Sequence, residues 1–173
     1  MTEDIGLFEA MYTQRAVRRF KPDPVPDELV EKLIEAATKA PSGSNRQPWV
    51  FIVVREPETK RQIGEFYKAA WNASFAPGSS GIQALTPRIR SSAQYLGDHM
   101  SDAPVLVLAC IEYAGTPNVT AGSSIYPAVQ NLLLAARGMG IGSVLTTLFK
   151  RHDAEIKALL GIPENIETAA LLP

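Results

Sequence analysis

Residues 40–54, APSGSNRQPWVFIVV, join a turn of small and amide-bearing residues to an uninterrupted apolar run. Glycine and serine let a backbone approach a planar ligand closely. The carboxamides of Asn45 and Gln47 can each donate and accept hydrogen bonds, as the edge of a heterocyclic ring requires. The run 49–54 is apolar at every position, which predicts a strand buried on both faces. The stretch therefore predicts a ring-binding loop at the entry of a core strand.

Working outward from this strand, apolar runs and turn signals divide the rest of the chain into strands and helices. The predicted strands are 49–54, 103–111, 141–148 and 166–172. The predicted helices are 4–13, 27–40, 57–71, 88–100, one from Ser123 or Ser124 to about 137, and 153–160. Strands that are apolar on both faces need cover on both sides. Because regular alternation of strand and helix is weak, the pattern favours an α+β fold over a doubly wound nucleotide-binding fold.

Composition excludes several classes of protein. A chain of 173 residues with 46% hydrophobic and 20% charged residues predicts one globular domain. The formal net charge of −1 disfavours general binding to nucleic acid or an anionic membrane. The N-terminus is acidic and lacks a signal-peptide core, and no apolar run reaches the ~18 residues of a membrane span. A cytoplasmic protein is expected.

Familiar catalytic and nucleotide motifs are missing. A single cysteine, Cys110, excludes an internal disulfide framework and ends an apolar run, which predicts an inert buried thiol. The two histidines, His99 and His152, lie near no nucleophile-elbow pattern and are too few for a typical zinc site. The glycines of GMGIGS, residues 138–143, follow a helix and precede a strand, the reverse of a dinucleotide fingerprint. We interpret them as a helix end and strand entry.

A basic segment completes the candidate site. Arg15, Arg18 and Arg19 precede Phe20, and guanidinium groups match phosphate geometry at any working pH. A solvated turn, or pairing with nearby aspartates, is the alternative. Together with the amide-rich loop, the segment suits a phosphorylated heterocycle. The lack of acid, base and metal candidates agrees with a flavin, which brings its own reactive centre.

Four blocks in order resemble the nitroreductase family of FMN-dependent, homodimeric oxidoreductases. They are QRAVRRF (14–20), PVPDELVEKLIEAATKAPSGSNRQPWVFIVV (24–54), YPAVQNLLLAARGMGIGSVLTT (126–147) and LLGIPENIETAALLP (159–173). The resemblance implies a central, mostly antiparallel sheet covered on both faces by helices. It also implies that the long helix from Ser124 lies at the dimer interface.

The resemblance assigns the cofactor-binding residues, and no side chain receives a catalytic role. Arg15, Ala16 and Arg18 would run along the ribityl phosphate. The loop would approach the flavin from the partner subunit, through Pro41, Ser42, Gly43, Asn45 and Gln47. Thr146, Thr147 and Leu148 would lie beside flavin N5, mainly through backbone groups.

The implied reaction is ping-pong reduction of nitroaromatics, quinones or similar electron-poor acceptors by NADH or NADPH. Residues 74–86 and 113–122 are the expected substrate lids, with Phe75, Tyr113 and Tyr126 as aromatic contacts. The alternative is a flavin-binding protein of the same fold without NAD(P)H turnover. It could be dehalogenase-like, flavin-cleaving, or a storage or interaction module.

Two departures from the family pattern bear on flavin affinity. Gln14 and Ala16 stand where many members have arginine and serine. The sequence also stops at Pro173, so we expect a single domain over 1–173 that lacks the usual C-terminal tail. Each lost charge-assisted phosphate contact costs about 1.5–3 kcal/mol, roughly ten- to a hundredfold in affinity.

Overall fold

A computed structural model describes residues 5–76, 85–113 and 119–173. Six α-helices lie within these residues: α1 Leu7–Thr13, α2 Asp27–Ala37, α3 Pro57–Ser74, α4 Pro87–His99, α5 Val119–Gly138 and α6 Asp153–Leu160. Three strands accompany them: β1 Trp49–Val54, β2 Leu106–Glu112 and β3 Ile166–Leu172. Short 3₁₀ turns occupy Gly43–Asn45, Met100–Asp102 and Leu148–His152.

The strands form one antiparallel sheet in the order β1-β2-β3. Trp49 lies opposite Ile111 in the first pair, and Val107 lies opposite Leu172 in the second. An irregularity between Ala109 and Cys110 shifts the register of the second pair. The central strand β2 is buried at every residue except Glu112, as its continuous apolar sequence predicts.

Successive residues of β2 point into two separate hydrophobic layers, because side chains alternate across a strand. Val107, Ala109 and Ile111 pack with buried residues of α2 and α5. Leu106, Leu108 and Cys110 pack with buried residues of α3, α4 and α6. Helices therefore cover both faces of the sheet, and the predicted α+β class is confirmed.

Residues 141–148, predicted as a strand, do not form one. They make only two isolated bridges, Ser143 with Ala16 and Thr146 with Leu171. Gly140 adopts a left-handed φ of 74° at the entry, and a 3₁₀ turn begins at Leu148. The segment lies between the N-terminal chain on one side and β3 on the other, and it forms a continuous ladder with neither.

The start of α5 also differs from prediction. The helix begins at Val119, so Ser123 and Ser124 are not its N-cap, and Pro127 lies inside the helix rather than in its first turn. A proline there lacks the N–H that would bond the carbonyl of the preceding turn. Burial of most of the apolar surface of α5 stabilises the helix despite this loss.

Other expectations hold with small shifts of boundary. Pro57 opens α3 as predicted, and the Glu56 carboxylate accepts hydrogen bonds from the backbone N–H groups of Glu58 and Thr59. Gly161 ends α6 in the left-handed conformation, at φ 63°. None of the helices described is both long and apolar enough to cross a membrane.

Candidate functional site

The predicted ring-binding loop has an unusual backbone. The φ angles of Ser44, Asn45 and Gln47 are 54°, 52° and 51°. Residues other than glycine rarely adopt this left-handed backbone conformation. This costs about 1 kcal/mol or more for a residue such as Ser44 or Gln47, whereas asparagine tolerates the region better. Non-glycine residues held this way in one short loop indicate a shape maintained for a purpose, since strain of this kind concentrates at binding sites.

Hydrogen bonds inside the loop maintain this shape. The backbone N–H of Gln47 donates to the Ser42 hydroxyl at 2.9 Å, and the Gln47 carboxamide donates to Asn45 Oδ1 at 3.2 Å. Gly43 donates its backbone N–H to the hydroxyl of Ser124 at 3.1 Å. Pro41, Gly43, Asn45 and Gln47 are solvent-exposed, and Ser42 is half-buried.

Ser124 was missed as a site residue, because its position suggested a helix cap. It is instead a buried polar residue of α5 that fixes the loop to the core. A serine within an apolar helical face was the available signal, since buried hydroxyls need a hydrogen-bond partner.

The basic segment, Arg15 to Arg19, lies against the glycine-rich turn formed by residues 138–143. Ala16 forms a parallel bridge with Ser143, and the backbone N–H of Val17 donates to the Ser143 carbonyl at 3.1 Å. A Cβ on Gly142 would lie only 2.9 Å from Val17 Cγ1. The approach of these two segments therefore depends on glycine at position 142.

The three arginines contact different elements rather than forming one cluster. Arg15 donates to the carbonyls of Tyr12 at 2.8 Å and Gln14 at 2.6 Å, at the end of α1. Arg18 donates to Ser92 Oγ of α4 at 3.5 Å. The guanidinium of Arg19 lies 3.7 Å from the ring centroid of Tyr95, also in α4.

No carboxylate of the described residues pairs with these arginines. Among the residues that the structure describes, none of the three forms a salt bridge. Asp27, an alternative partner, pairs with Arg55 at 2.8 Å instead. Their charge therefore remains available to an anion.

Residues 146–148, the third segment predicted to bind the cofactor, are held to the core by backbone and side-chain hydrogen bonds. Thr146 exchanges two backbone hydrogen bonds of 2.9 Å with Leu171. Its hydroxyl contacts the Tyr67 hydroxyl at 2.9 Å and accepts from the Leu148 N–H at 3.4 Å. Thr147 is exposed and Leu148 half-buried.

Tyr67, in α3, is a residue that sequence reasoning missed, because a lone tyrosine on an apolar helix face gives no motif. Burial raises the pKa of its phenol, and the hydrogen bond with Thr146 and the charge of Arg18 only partly oppose that rise. Tyr67 therefore remains protonated and holds residue 146 through its hydroxyl.

Other chemistry has little support in the described residues. Burial raises the pKa of Cys110 to about 12, so the thiol is not a nucleophile at neutral pH. His99 and His152 each contact a carboxylate of their own turn, Asp102 at 2.8 Å and Glu155 at 3.2 Å. No group of three His, Cys, Asp or Glu side chains in the described part of the chain could hold a metal ion.

The predicted lids and aromatic contacts are placed only in part. Residues 77–84 and 114–118 lie outside the described residues. Phe75 contacts Trp71 with ring centroids 4.2 Å apart, and Tyr113 packs against the α2–α5 layer. Tyr126 is partly exposed and donates to the Ala169 carbonyl at 3.3 Å.

A cleft of about 420 Å³ lies between the connector 21–26, α2 and the end of α5, and Arg19 of the basic segment and residues 140–143 also border it. Its lining is mostly apolar and includes none of the eleven residues predicted to bind a cofactor. We therefore place the candidate site at the loop, the basic segment and residues 146–148. Guanidinium, amide and hydroxyl donors there fit a phosphorylated ring such as FMN.

Comparisons with known proteins identify the family of the chain. The model described as "Nitroreductase family" matches residues 12–172. A putative NADH dehydrogenase/NAD(P)H nitroreductase of Archaeoglobus fulgidus is 31% identical over 160 residues, which cover 90% of this chain and 76% of that protein. Iodotyrosine deiodinase 1 of Rattus norvegicus is 27% identical over 174 residues, covering 96% of this chain and 60% of the deiodinase. A crystal structure of oxidized iodotyrosine deiodinase bound to FMN and 3-iodo-L-tyrosine superimposes with a TM-score of 0.79 at 26% identity, covering 97% of this chain and 88% of that one.

Proposed function

Because the chain belongs to the nitroreductase family, we propose that it is an FMN-dependent oxidoreductase. In this proposal NADH or NADPH supplies the electrons, and an electron-poor acceptor such as a nitroaromatic or a quinone receives them. The observation that carries the proposal is the family match over residues 12–172, which includes every predicted cofactor-binding residue. The name of the Archaeoglobus relative supports the choice of reductant.

The chain's own residues bind and orient the cofactor. Unpaired guanidinium groups of the basic segment bind the anionic end, and the carboxamides of Asn45 and Gln47 bind the ring edge. Bound FMN supplies the electron transfer itself. Because the N–H groups of Thr146 and Leu148 already donate within the chain, the Thr147 N–H is the backbone donor of this segment that stabilises negative charge on the ring.

A homodimer completes this site. Within one chain, no hydrogen bond between described residues joins the loop 41–47 to the basic segment or to residues 146–148. An exposed loop held in a strained shape suits a contact with a second molecule. We therefore assign the loop to the flavin of the partner subunit.

The first test is cofactor retention. Purified protein is mixed with excess FMN, desalted, and examined by visible absorbance. We expect about one flavin per subunit, bleached without oxygen by NADH or NADPH and reoxidised by a nitroaromatic or quinone. Parallel double-reciprocal lines are expected from a ping-pong reaction. A colourless protein would contradict the assignment of FMN.

Reductive dehalogenation is the second candidate, favoured by the likeness to iodotyrosine deiodinases. The two candidates differ in the response of the flavin to nicotinamides. A bound flavin that dithionite bleaches but NADH and NADPH do not, and that iodotyrosine reoxidises with release of iodide, would favour the dehalogenase.

A further inference from the structure

The glycine-rich turn and the end of α1 enclose a second, smaller cavity. Its volume is about 290 Å³, and its lining includes Gln14, Arg15, Arg137 and Gly140–Ser143. Pockets that hold whole drug-sized ligands usually have roughly 300–1,000 Å³. The cavity therefore suits one end of a cofactor rather than all of it.

Two guanidinium groups meet at this cavity. Arg137, in the last turn of α5, donates Nε–H to Thr13 Oγ1 at 2.9 Å, which orients its fork. No other hydrogen bond or salt bridge of Arg137 occurs within the described residues. Arg15 uses only Nη1 for its backbone contacts. The guanidinium groups of Arg15 and Arg137 therefore both keep free N–H donors.

The cavity also lacks negative charge. None of its lining residues in the described part of the chain is acidic. Glycines 140 and 142 leave backbone close to the space without an intervening side chain. Two cationic forks with no carboxylate between them are the geometry that binds phosphate.

Arg18 does not line this cavity. Its side chain contacts Ser92 of α4 instead. The basic segment therefore has Arg15 at the cavity and Arg18 outside it.

We propose that the phosphate of FMN binds in this cavity, between Arg15 and Arg137 and beside the turn 138–143. This inference rests on the proposed function and deepens it by assigning a phosphate-binding residue, Arg137, from α5. Arg18 then lies outside the phosphate site.

The test compares FMN with riboflavin, which has the same ring and no phosphate. Dissociation constants of both are measured by quenching of flavin fluorescence for the wild type, Arg137→Ala, Arg137→Lys and Arg18→Ala. We expect Arg137→Ala to raise the Kd for FMN by about ten- to a hundredfold. Its Kd for riboflavin should not change, which also shows that the variant is folded. Arg137→Lys should give an intermediate Kd, and Arg18→Ala should not weaken FMN more than riboflavin.

Arg61→Ala is the matched control, because Arg61 is an exposed arginine that pairs with Glu58 and Glu65 on α3. It should leave both constants unchanged. An unchanged FMN affinity in Arg137→Ala, or equal weakening of FMN and riboflavin, would overturn the phosphate assignment alone. A wild type that binds neither flavin would instead refute the proposed function, and the inference with it.

Discussion

At the scale of the residue, burial decides the chemistry of Cys110. The side chain is fully buried in β2, and this burial, with a smaller contribution from Asp153, raises its pKa to about 12. A thiol needs its thiolate form to react. We therefore expect no labelling by Ellman's reagent in native protein and one thiol per chain after unfolding. Rapid labelling of the native state would contradict this burial.

The same shift predicts a dependence of stability on pH. The folded-state pKa of Cys110 lies above the ordinary thiol value of 9.0, so the folded state holds the proton more tightly. This contribution to the free energy of unfolding is complete below pH 9 and is lost as pH rises toward 12. Denaturant titrations from pH 8 to 11 should show stability falling with pH, with a shallower fall in Cys110→Ala. Equal slopes would refute the linkage.

Tyr67 and Thr146 should depend on each other energetically. Tyr67→Phe removes the hydroxyl that contacts Thr146 and leaves the ring packed in α3. We expect a loss of about 0.5–1.5 kcal/mol in the free energy of unfolding without flavin. The same substitution in a Thr146→Ala background should cost less, because its partner is already gone. Strict additivity of the two substitutions would show that the contact contributes nothing.

Residue types in the candidate site were predictable, whereas side-chain directions were not. Small residues, carboxamides and arginines indicate a site through their chemistry alone. The separation of Arg15 from Arg18 depends on α1 and α4, which are remote in sequence from each other. Tyr67 and Ser124 act through partners 79 and 81 residues away, so no local pattern contains them.

At the scale of the element, the hydrophobic pattern correctly predicted the three strands that pair along their length. It wrongly predicted a fourth strand at residues 141–148. β1 is an apolar run, β2 is apolar up to Glu112, β3 is apolar from Ala169 onward, and all three were predicted. Residues 141–148 mix four apolar residues with glycine, serine and two threonines, and their contacts are limited to isolated bridges on both sides. Strand identity there is decided by neighbours, and a single sequence does not specify them.

The contact of the glycine-rich turn with the basic segment is testable as a unit. Gly142→Ala would place a methyl group 2.9 Å from Val17 Cγ1, and such overpacking typically costs about 1–3 kcal/mol. Val17→Ala should restore part of that loss in the double variant, although it removes packing by itself. Gly138→Ala is the control, because a Cβ there meets nothing within 4 Å. A Gly142→Ala variant as stable as the wild type would show that the two segments separate easily.

At the scale of the whole molecule, the two hydrophobic layers leave one apolar surface uncovered. The buried face of α5 packs inside its own chain, so the apolarity of that helix does not by itself require a partner. Among the described residues, the exposed apolar side chains that group together lie on α1, where Leu7, Phe8, Met11 and Tyr12 are each more than half exposed. Large apolar side chains grouped on one surface mark an interaction site.

The α1 surface therefore predicts how dimerisation and flavin binding depend on each other. Phe8→Glu places a charge on the α1 surface, and a two-fold interface would bury one such charge from each subunit. Losses at such contacts reach about 2–4 kcal/mol, roughly thirty- to a thousandfold in the dimer dissociation constant. Because the loop 41–47 is proposed to act from the partner, FMN affinity should fall as sedimentation velocity shows monomers. Lys32→Glu, which places a glutamate on the exposed face of α2 and changes the net charge by more than Phe8→Glu does, should change neither measurement. A monomeric Phe8→Glu protein that retains full FMN affinity would place the complete site within one chain.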